Sequence, residues 1–257
     1  MFNIVFKTLI FLTFQISSII IIAVQFQSTS KSVKFINNNG FILIPNFFKK
    51  LEYIEISSIV SKLKKNYKSE INSLAVNRKG CQIPFNSEPS LLLYEKFFYA
   101  PNTIEKIINH TGEINLQQPT KPMIFPLEIR EYCLNSYMDM HQDEILFDYP
   151  QIEFIYCVEN TSDTFTQWVD RSGLLHNDFT PPNSLILVKS GEYGSRHGVT
   201  KLRKGSRTII KGIYTKCNQP NDNYHRALNT YSSSSSSRSS SRSSSSSSSS
   251  SRKEKNR

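Results

Sequence analysis

Two histidines and one aspartate are the side chains of this sequence best suited to bind a metal ion together. His141 and Asp143 are two positions apart, so on a β-strand both would point to the same face. His197 lies further along the chain, in Ser195-Arg-His-Gly-Val199. Two imidazoles and one carboxylate on one face of an octahedron suit a non-haem Fe(II) centre and leave three positions open. The pattern therefore predicts an iron site at His141, Asp143 and His197.

An arginine follows the second histidine at a spacing that brings it towards the same cavity. Arg207 comes ten residues after His197, in Lys204-Gly-Ser-Arg207. If it lies on the next strand, its guanidinium can hold one carboxylate of a diacid through two parallel hydrogen bonds. A second His-x-Asp pair, His176 and Asp178, is interpreted as unrelated to the metal, because little chain separates it from His197.

The elements that would position these residues change in type along the chain. Residues Gly40 to Pro45 predict a short strand, and Asn46 is the expected N-cap of a following helix. Its apolar positions at helical spacing are Phe47, Leu51, Ile54, Ile59, Val60 and Leu63. A second helix is expected between Tyr94 and Ile108, broken at Pro101. Later β-rich runs are Phe125–Cys133, Gln151–Val158, Ser184–Val188 and Thr208–Tyr214. Helices followed by strands predict an α+β protein with a mainly β core, either a sandwich or a barrel.

The composition supports a folded domain and disfavours several common folds. Hydrophobic residues make up 38% and aromatic residues 12% of the 257 residues, which is enough for a core. The sequence lacks G-x-G-x-x-G, G-x-x-x-x-G-K-[ST] and G-x-S-x-G, so a dinucleotide fold, a P-loop nucleotidase and an α/β-hydrolase are not expected. Residues 229–257 hold six Arg or Lys against one Glu, a net 6 − 1 = +5 of the total +10. The mildly basic remainder does not indicate a nucleic-acid partner.

Both ends of the chain differ from its middle. Residues 8–26 carry no charge and are long enough to cross a bilayer. Residues 1–30 are therefore predicted to be a signal anchor or a cleaved signal peptide, with a buried helix as the alternative. Residues 32–228 would form the catalytic domain. The Ser/Arg-rich residues 229–257 would be a disordered tail, interpreted as a low-complexity expansion, with an RNA-binding or phosphorylated segment as the alternative.

The secretory pathway is the location that these ends predict. If residues 8–26 remain in the chain, we expect a membrane-anchored protein of the endoplasmic reticulum or another secretory compartment, with its domain facing the lumen. If they are cleaved, we expect a secreted protein. Sequons at Asn109 and Asn160 are compatible with either case. The four cysteines, Cys81, Cys133, Cys157 and Cys217, allow two disulfides or four buried thiols.

The metal-binding pattern and its flanks together resemble a known family, the Fe(II)/2-oxoglutarate-dependent dioxygenases, and most closely its prolyl 4-hydroxylase-like branch. The constellation His-x-Asp … His-x9-Arg is carried here by His141, Asp143, His197 and Arg207. Flanking segments that also resemble the family are Leu127–Tyr132, Asn160–Phe165, Pro182–Leu187, Arg196–Val199 and Gly205–Arg207. The resemblance covers about residues 36 to 216.

This resemblance implies a fold, a reaction and a set of cofactors. The fold would be a double-stranded β-helix (jelly roll) with flanking helices packed on one side. The cofactors would be Fe(II) and 2-oxoglutarate, with ascorbate as a further candidate. Arg207 would bind the far carboxylate of 2-oxoglutarate, and Tyr132 would help to hold it, with Tyr137 as a rival for that role. The enzyme would hydroxylate an unactivated C–H bond and release succinate and CO2, with no catalytic residue beyond the metal centre. A protein or peptide is the expected partner, and a prolyl side chain is the first expected substrate.

Three positions depart from the family pattern. The segment Asn160–Asp163 lacks the usual glycine pair, and Asn183 replaces a common glycine. Arg207 stands where collagen-type prolyl hydroxylases usually carry lysine, which argues against collagen-like substrates. Three other functions stay open: a dioxygenase acting on a small molecule, a lipid or a nucleic-acid base; a non-catalytic jelly-roll binding protein; and a membrane-anchored RNA-associated protein acting through its tail.

Overall fold

The computed structural model describes residues 31, 33–70, 74–83, 88–113, 116, 125–216 and 219–227. The predicted signal segment (1–30) and the predicted disordered tail (229–257) lie outside these residues, so both stay predictions. Within the described ranges no helix is long and apolar enough to cross a membrane.

Helices come mostly first along the chain and strands mostly later. The α-helices are α1 (Lys50–Leu63), α2 (Glu88–Tyr94) and α3 (Pro101–Thr111), with a 3-10 turn at Lys64–Asn66 and a π-helical turn at Glu95–Tyr99. Helical residues also occur at 33–37 and 222–227. The strands are β1 (Phe41–Ile44), β2 (Lys68–Ser69), β3 (Ala75–Ile83), β4 (Leu127–His141), β5 (Ile152–Asn160), β6 (Thr166–Val169), β7 (Leu175–Asp178), β8 (Ser184–Lys189), β9 (His197–Val199) and β10 (Arg207–Tyr214). The four predicted β-rich runs correspond to β4, β5, β8 and β10.

Strand β4 joins the two halves of the antiparallel sheet. Its first half pairs with β3 on one side and with β10 on the other, whereas its last residues pair with β9. Between these halves Asn135 has a positive φ of 65°, which interrupts the regular strand. From β10 the sheet continues through β5 and β8 to β1, and from β9 it continues through β6 to β7. This half-barrel of antiparallel strands with flanking helices confirms the predicted jelly roll.

The two faces of strand β10 have different surroundings because its side chains alternate. Ile210 and Tyr214 belong to the large apolar cluster that packs the helices against the sheet. Ile209 faces the other way, into a smaller cluster inside the half-barrel. Arg207 and Lys211 share the face of Ile209, so β10 directs two cations into the interior.

The start of α1 differs from the prediction. Asn46 is not its N-cap: the helix begins at Lys50, and the Glu52 carboxylate accepts the Lys49 backbone N–H at 3.0 Å. Asn46 has a positive φ of 51° in the preceding turn. Two of the predicted apolar positions also face solvent, since Leu51 is 81% and Ile54 is 52% exposed. The predicted strand before this turn is present as β1, and the helical segment does break at Pro101, which is the first residue of α3.

Asn183 has a structural role at the position where the family often has glycine. Its φ is 59°, a left-handed conformation that asparagine tolerates better than most residues. Its side-chain amide donates to the Phe48 carbonyl at 2.9 Å, and its Oδ1 accepts the Phe48 N–H at 3.1 Å. The same oxygen accepts the Tyr156 hydroxyl at 2.9 Å. The asparagine therefore replaces the conformational freedom of glycine and adds a tie to the turn before α1.

Two predictions tied to the secretory pathway can be compared with the described residues. Cys81, Cys133 and Cys157 are free thiols, and Cys217 lies outside the described residues. Asn160 is 8% exposed, and its Nδ2 donates to the Thr180 carbonyl at 2.8 Å. A glycan on that nitrogen would not fit the buried position, so the folded domain does not present Asn160 as an acceptor.

Candidate functional site

The three predicted metal ligands come together where β4 meets β9. His141 is the last residue of β4, His197 is the first residue of β9, and the two are cross-strand partners. Asp143 does not lie on the strand as predicted, because β4 ends at His141 and Asp143 follows in a loop. The Gly191 backbone N–H donates to the Asp143 carbonyl at 2.9 Å, which ties this loop to the segment leading into β9.

The ligand atoms of these three side chains lie within 4.8 Å of one another. His141 Nε2 is 3.5 Å from Asp143 Oδ1, and His197 Nε2 is 3.3 Å from Asp143 Oδ2. Asp143 Oδ2 is buried and has no hydrogen-bond partner among the described residues. Such an oxygen is costly to bury without a partner, and a cation in contact with all three side chains would satisfy it.

Both histidines are held in the tautomer that a metal requires. His141 Nδ1 is 2.8 Å from the Asp139 carbonyl oxygen, and His197 Nδ1 is 3.1 Å from the Ser195 carbonyl oxygen. A carbonyl can only accept, so each Nδ1 carries the hydrogen. In the neutral imidazole, Nε2 then presents its lone pair towards Asp143, and the backbone contact fixes the ring orientation. The donor set therefore fits the predicted Fe(II) ion.

Arg207 is a buried cation that forms no ion pair with a carboxylate among the described residues. It is 1% exposed, and its Nε and Nη1 have no hydrogen-bond partner in the part of the chain that the structure describes. Its guanidinium carbon lies 5.9 Å from the ring centroid of Tyr132. It also lies near the Cys157 thiol, whose pKa is raised by burial, a rise that Arg207 opposes. An unpaired guanidinium inside a protein is unfavourable, so this position is suited to an anionic ligand such as a carboxylate.

Tyr132 lies beside Arg207 and is itself held by a second arginine. It is 1% exposed, and its hydroxyl accepts a hydrogen bond of 3.2 Å from Arg78 Nη1. Arg78 is in turn paired with Glu70 at 2.8 Å. The Tyr132 hydroxyl hydrogen points to the Met138 sulfur at 3.4 Å, a weak acceptor. The hydroxyl can therefore donate to a stronger acceptor beside Arg207.

Comparison with known proteins places this geometry in context. The sequence matches no protein-family profile and no sequence among curated proteins. Its structure is similar to a 2OG-Fe(II) oxygenase from Burkholderia pseudomallei, with a TM-score of 0.63, 12% identity, and coverage of 76% of this chain and 94% of that chain. It is similar to a prolyl hydroxylase from Trichoplax adhaerens in complex with a hypoxia-inducible-factor peptide (TM-score 0.56, 15% identity, 79% and 94% coverage). It is also similar to a Pseudomonas putida prolyl-4-hydroxylase (TM-score 0.54, 12% identity, 73% and 97% coverage).

The chain has the fold of the Fe(II)/2-oxoglutarate oxygenases. Two of the three structures are prolyl hydroxylases, so the predicted resemblance to that branch is confirmed at the level of fold. At this identity the likeness extends to the fold alone, and the chemistry must be argued from the residues. Of the two rival tyrosines, Tyr132 is the cross-strand partner of Arg207, and its ring centroid lies 5.9 Å from the guanidinium carbon.

Two charged residues beside the metal ligands were not anticipated from the sequence. Lys211 Nζ lies 3.5 Å from Asp143 Oδ1 and also forms an ion pair with Glu153. Lys211 is four residues after Arg207 on β10, so strand alternation would have placed it on the same face. Glu153 lies on β5, and no local pattern connects it with the other residues of the site.

The ligand cluster shifts the protonation of its members in opposite directions. Burial opposes the charge of Asp143, but Lys211 and the two histidines outweigh it and hold its pKa well below the usual range. Burial lowers the pKa of His197, whereas for His141 burial is outweighed by the combined influence of Asp143 and the Asp139 carbonyl, which raises the pKa. The carboxylate is therefore ionised, as a metal ligand must be.

The second His-x-Asp pair serves a different purpose, as predicted. His176 Nε2 is 2.8 Å from Asp170 Oδ2, and its ring stacks on Trp168 with centroids 4.2 Å apart. Asp178 accepts the indole N–H of Trp168 at 2.7 Å. Trp168 is the cross-strand partner of His197, so this pair supports the wall of the site and contributes no ligand to it.

Proposed function

We propose that this protein is an Fe(II)- and 2-oxoglutarate-dependent dioxygenase that hydroxylates an unactivated C–H bond. The observation that carries the proposal is the pairing of two features on one interior surface. One is the convergent group of His141, Asp143 and His197. The other is the buried guanidinium of Arg207, whose Nε and Nη1 have no hydrogen-bond partner among the residues that the structure describes. A cation site and an anion site together fit a metal and a chelating diacid.

The residues of the chain divide the binding of these groups between them. His141, His197 and Asp143 would hold the iron through Nε2, Nε2 and Oδ2, and the backbone contacts at each Nδ1 keep both rings oriented. Arg207 would hold the far carboxylate of 2-oxoglutarate in a two-pronged contact, with the Tyr132 hydroxyl donating to it. When bound, Fe(II) and 2-oxoglutarate would supply the oxidation, with release of succinate and CO2.

The interior around the anion site is apolar as well as charged. Val199, Leu202 and Ile209 pack with Tyr132 in one buried cluster. Arg207 is itself 1% exposed and lies beside Tyr132 of this cluster, so the carboxylate contact would form in a medium of low polarity. Low polarity strengthens the attraction between the Arg207 guanidinium and a carboxylate, which favours a ligand that carries a second negative group.

The test uses the full chain with Fe(II) and 2-oxoglutarate in the absence of oxygen. We expect the visible charge-transfer band of an iron-bound 2-oxo acid. His141→Ala should abolish the band, and Arg207→Ala should shift it to higher 2-oxoglutarate concentrations. His110→Ala is the matched control, because that histidine lies in α3 and its Nδ1 contacts the Lys106 carbonyl. A folded, metal-loaded protein without the band would favour a non-catalytic jelly-roll binding protein instead.

For the substrate we propose a peptidyl side chain, with proline as the first candidate. The support is indirect: one similar structure is a prolyl hydroxylase in complex with a peptide. A screen of proline-containing peptides by mass spectrometry, looking for a gain of one oxygen atom, tests this step. Turnover of a small molecule, a lipid or a nucleic-acid base without turnover of any peptide would replace it. Ascorbate as a further cofactor is tested by adding it to the same reaction.

A secretory location stays a proposal that rests on residues 8–26, outside the described residues. Protease protection of the full chain in microsomes tests whether the domain faces the lumen. If it does, Asn109 is expected to be glycosylated, whereas a glycan on Asn160 would be incompatible with its buried position in the folded domain. A domain digested in intact microsomes would contradict the proposed orientation.

A further inference from the structure

An ion pair between a buried carboxylate and a partly buried lysine lies beside one of the proposed metal ligands. Lys211 Nζ is 3.5 Å from Asp143 Oδ1 and is paired with the Glu153 carboxylate. The side chains of Asp143 and Glu153 are 8% and 4% exposed and that of Lys211 is 27% exposed, so solvent screens the two carboxylates little and the ammonium in part. Nothing in the proposed binding of iron or 2-oxoglutarate uses Lys211 or Glu153.

The two oxygens of Asp143 have different surroundings. Oδ1 lies 3.5 Å from both Lys211 Nζ and His141 Nε2. Oδ2 faces His197 Nε2 at 3.3 Å and has no hydrogen-bond partner among the residues described. Lys211 therefore engages one oxygen and leaves the other directed into the ligand group.

A lone ammonium at this position would oppose the binding of a divalent cation. Like charges a few ångströms apart in a poorly screened interior repel strongly. Glu153 is positioned to cancel this repulsion, because it pairs with the same Nζ. Lys211 can then orient the Asp143 carboxylate without repelling a metal ion from the site.

We propose that Lys211 and Glu153 are paired positioning residues for Asp143: Lys211 holds Oδ1 so that Oδ2 faces the metal, and Glu153 neutralises Lys211 so that the metal is not repelled. The inference rests on the proposed iron site and deepens it. It assigns a function to two residues that the proposed binding of iron and 2-oxoglutarate does not use.

Mn(II) binding to the full chain tests the pair. Binding is measured as the loss of the electron paramagnetic resonance signal of free Mn(II). The measurement is made at pH 8, because burial and the neighbouring Asp143 raise the pKa of Glu153 to about 7, and the carboxylate should be ionised. Glu153→Gln leaves Lys211 uncompensated and should weaken Mn(II) binding at least about tenfold. Adding Lys211→Met removes the excess charge and should recover binding to within about tenfold of wild type.

Two further variants separate charge from packing. Glu153→Asp keeps the charge and should bind Mn(II) within about threefold of wild type. Glu113→Gln is the matched control, since Glu113 also pairs with lysines, Lys189 and Lys216, and its side chain is 15% exposed. It should leave Mn(II) binding unchanged. Circular dichroism verifies the fold of each variant.

The outcomes distinguish this inference from the proposed function. If wild type does not bind Mn(II), or binds it as His141→Ala does, the metal site itself is wrong. If wild type binds but Glu153→Gln binds equally well, or the double variant binds no better than Glu153→Gln, only the pairing is wrong. If Glu153→Gln does not fold, the double variant decides, since a folded double variant that fails to bind Mn(II) would overturn the inference. Loss of the fold in both variants would also overturn it, because the pair would then serve folding.

Discussion

Replacing Arg207 by methionine should weaken 2-oxoglutarate binding and at the same time stabilise the metal-free protein. The guanidinium is 1% exposed and unpaired at Nε and Nη1 within the described residues. Removing one partner of a buried, hydrogen-bonded charge pair costs about 2–5 kcal/mol, which corresponds to about 30- to 5,000-fold in affinity. Without a ligand, the same substitution removes an unpaired buried charge and should raise stability by about 1–4 kcal/mol.

The affinity is measured with Fe(II)-loaded protein titrated with 2-oxoglutarate in the absence of oxygen, using the charge-transfer band. The titration is repeated with 2-oxopentanoate, which has a methyl group in place of the far carboxylate. Wild type should strongly prefer 2-oxoglutarate, and Arg207→Met should lose that preference. Arg203→Met is the matched control, because Arg203 lies four residues earlier, in the segment that leads into β10, and its side chain is exposed. Urea unfolding of the metal-free proteins measures the stability change.

The reasoning fails if Arg207→Met keeps the wild-type preference for 2-oxoglutarate. It also fails if the substitution destabilises the metal-free protein by several kcal/mol, because the guanidinium would then have a structural partner. Only a gain in stability combined with a loss in cosubstrate affinity agrees with an anion site built in advance of its ligand.

Four further predictions concern the fold and a built-in probe. Trp168 is the only tryptophan and is the cross-strand partner of His197, so Co(II) should quench the fluorescence of the protein; unchanged emission at saturating metal would place the metal elsewhere. Asn183→Gly should lower the free energy of unfolding by about 1–3 kcal/mol, because hydrogen bonds are lost. Asn183→Ala should lower it by about 1 kcal/mol more, because the φ of residue 183 is 59°. Equal unfolding midpoints of the two variants would contradict the strain argument. Ile56 is 0% exposed, so Ile56→Ala should lower the free energy of unfolding, measured with urea, by about 2–5 kcal/mol. Leu51→Ala should change that free energy little. Burial lowers the pKa of His110 below its usual 6.5. The contribution of this residue to stability should therefore be complete above pH 6.5 and be lost as the pH falls through the lowered pKa. A His110→Gln variant with the same pH dependence of stability as wild type would refute this assignment.

Local sequence patterns were sufficient to predict an element whose position depends on its own residues. The strand β1 and the four later β-rich runs follow from residue types along short stretches. The start of α1 was mispredicted at Asn46 because a distant residue decides it. Asn183 binds the backbone of Phe48 through its side-chain amide and fixes the turn that precedes the helix. No pattern within residues 40–63 contains that contact.

The sequence by itself determined which side chains could bind iron and a diacid. His141, Asp143, His197 and Arg207 were identifiable because ligand type and strand periodicity are local properties of a chain. The structure brings the two histidines into register across β4 and β9. It also shows that Asp143 reaches the site from a loop beyond the strand.

Only the tertiary structure decided what surrounds these ligands. Glu153 meets Lys211 because β5 pairs with β10 in one particular register, and Arg78 meets Tyr132 because β3 pairs with β4. A one-residue shift in either register would turn these side chains to the opposite face. The amino-acid pattern of a single strand does not specify its partner or its register, so the charges that tune the site emerge only when the strands are assembled.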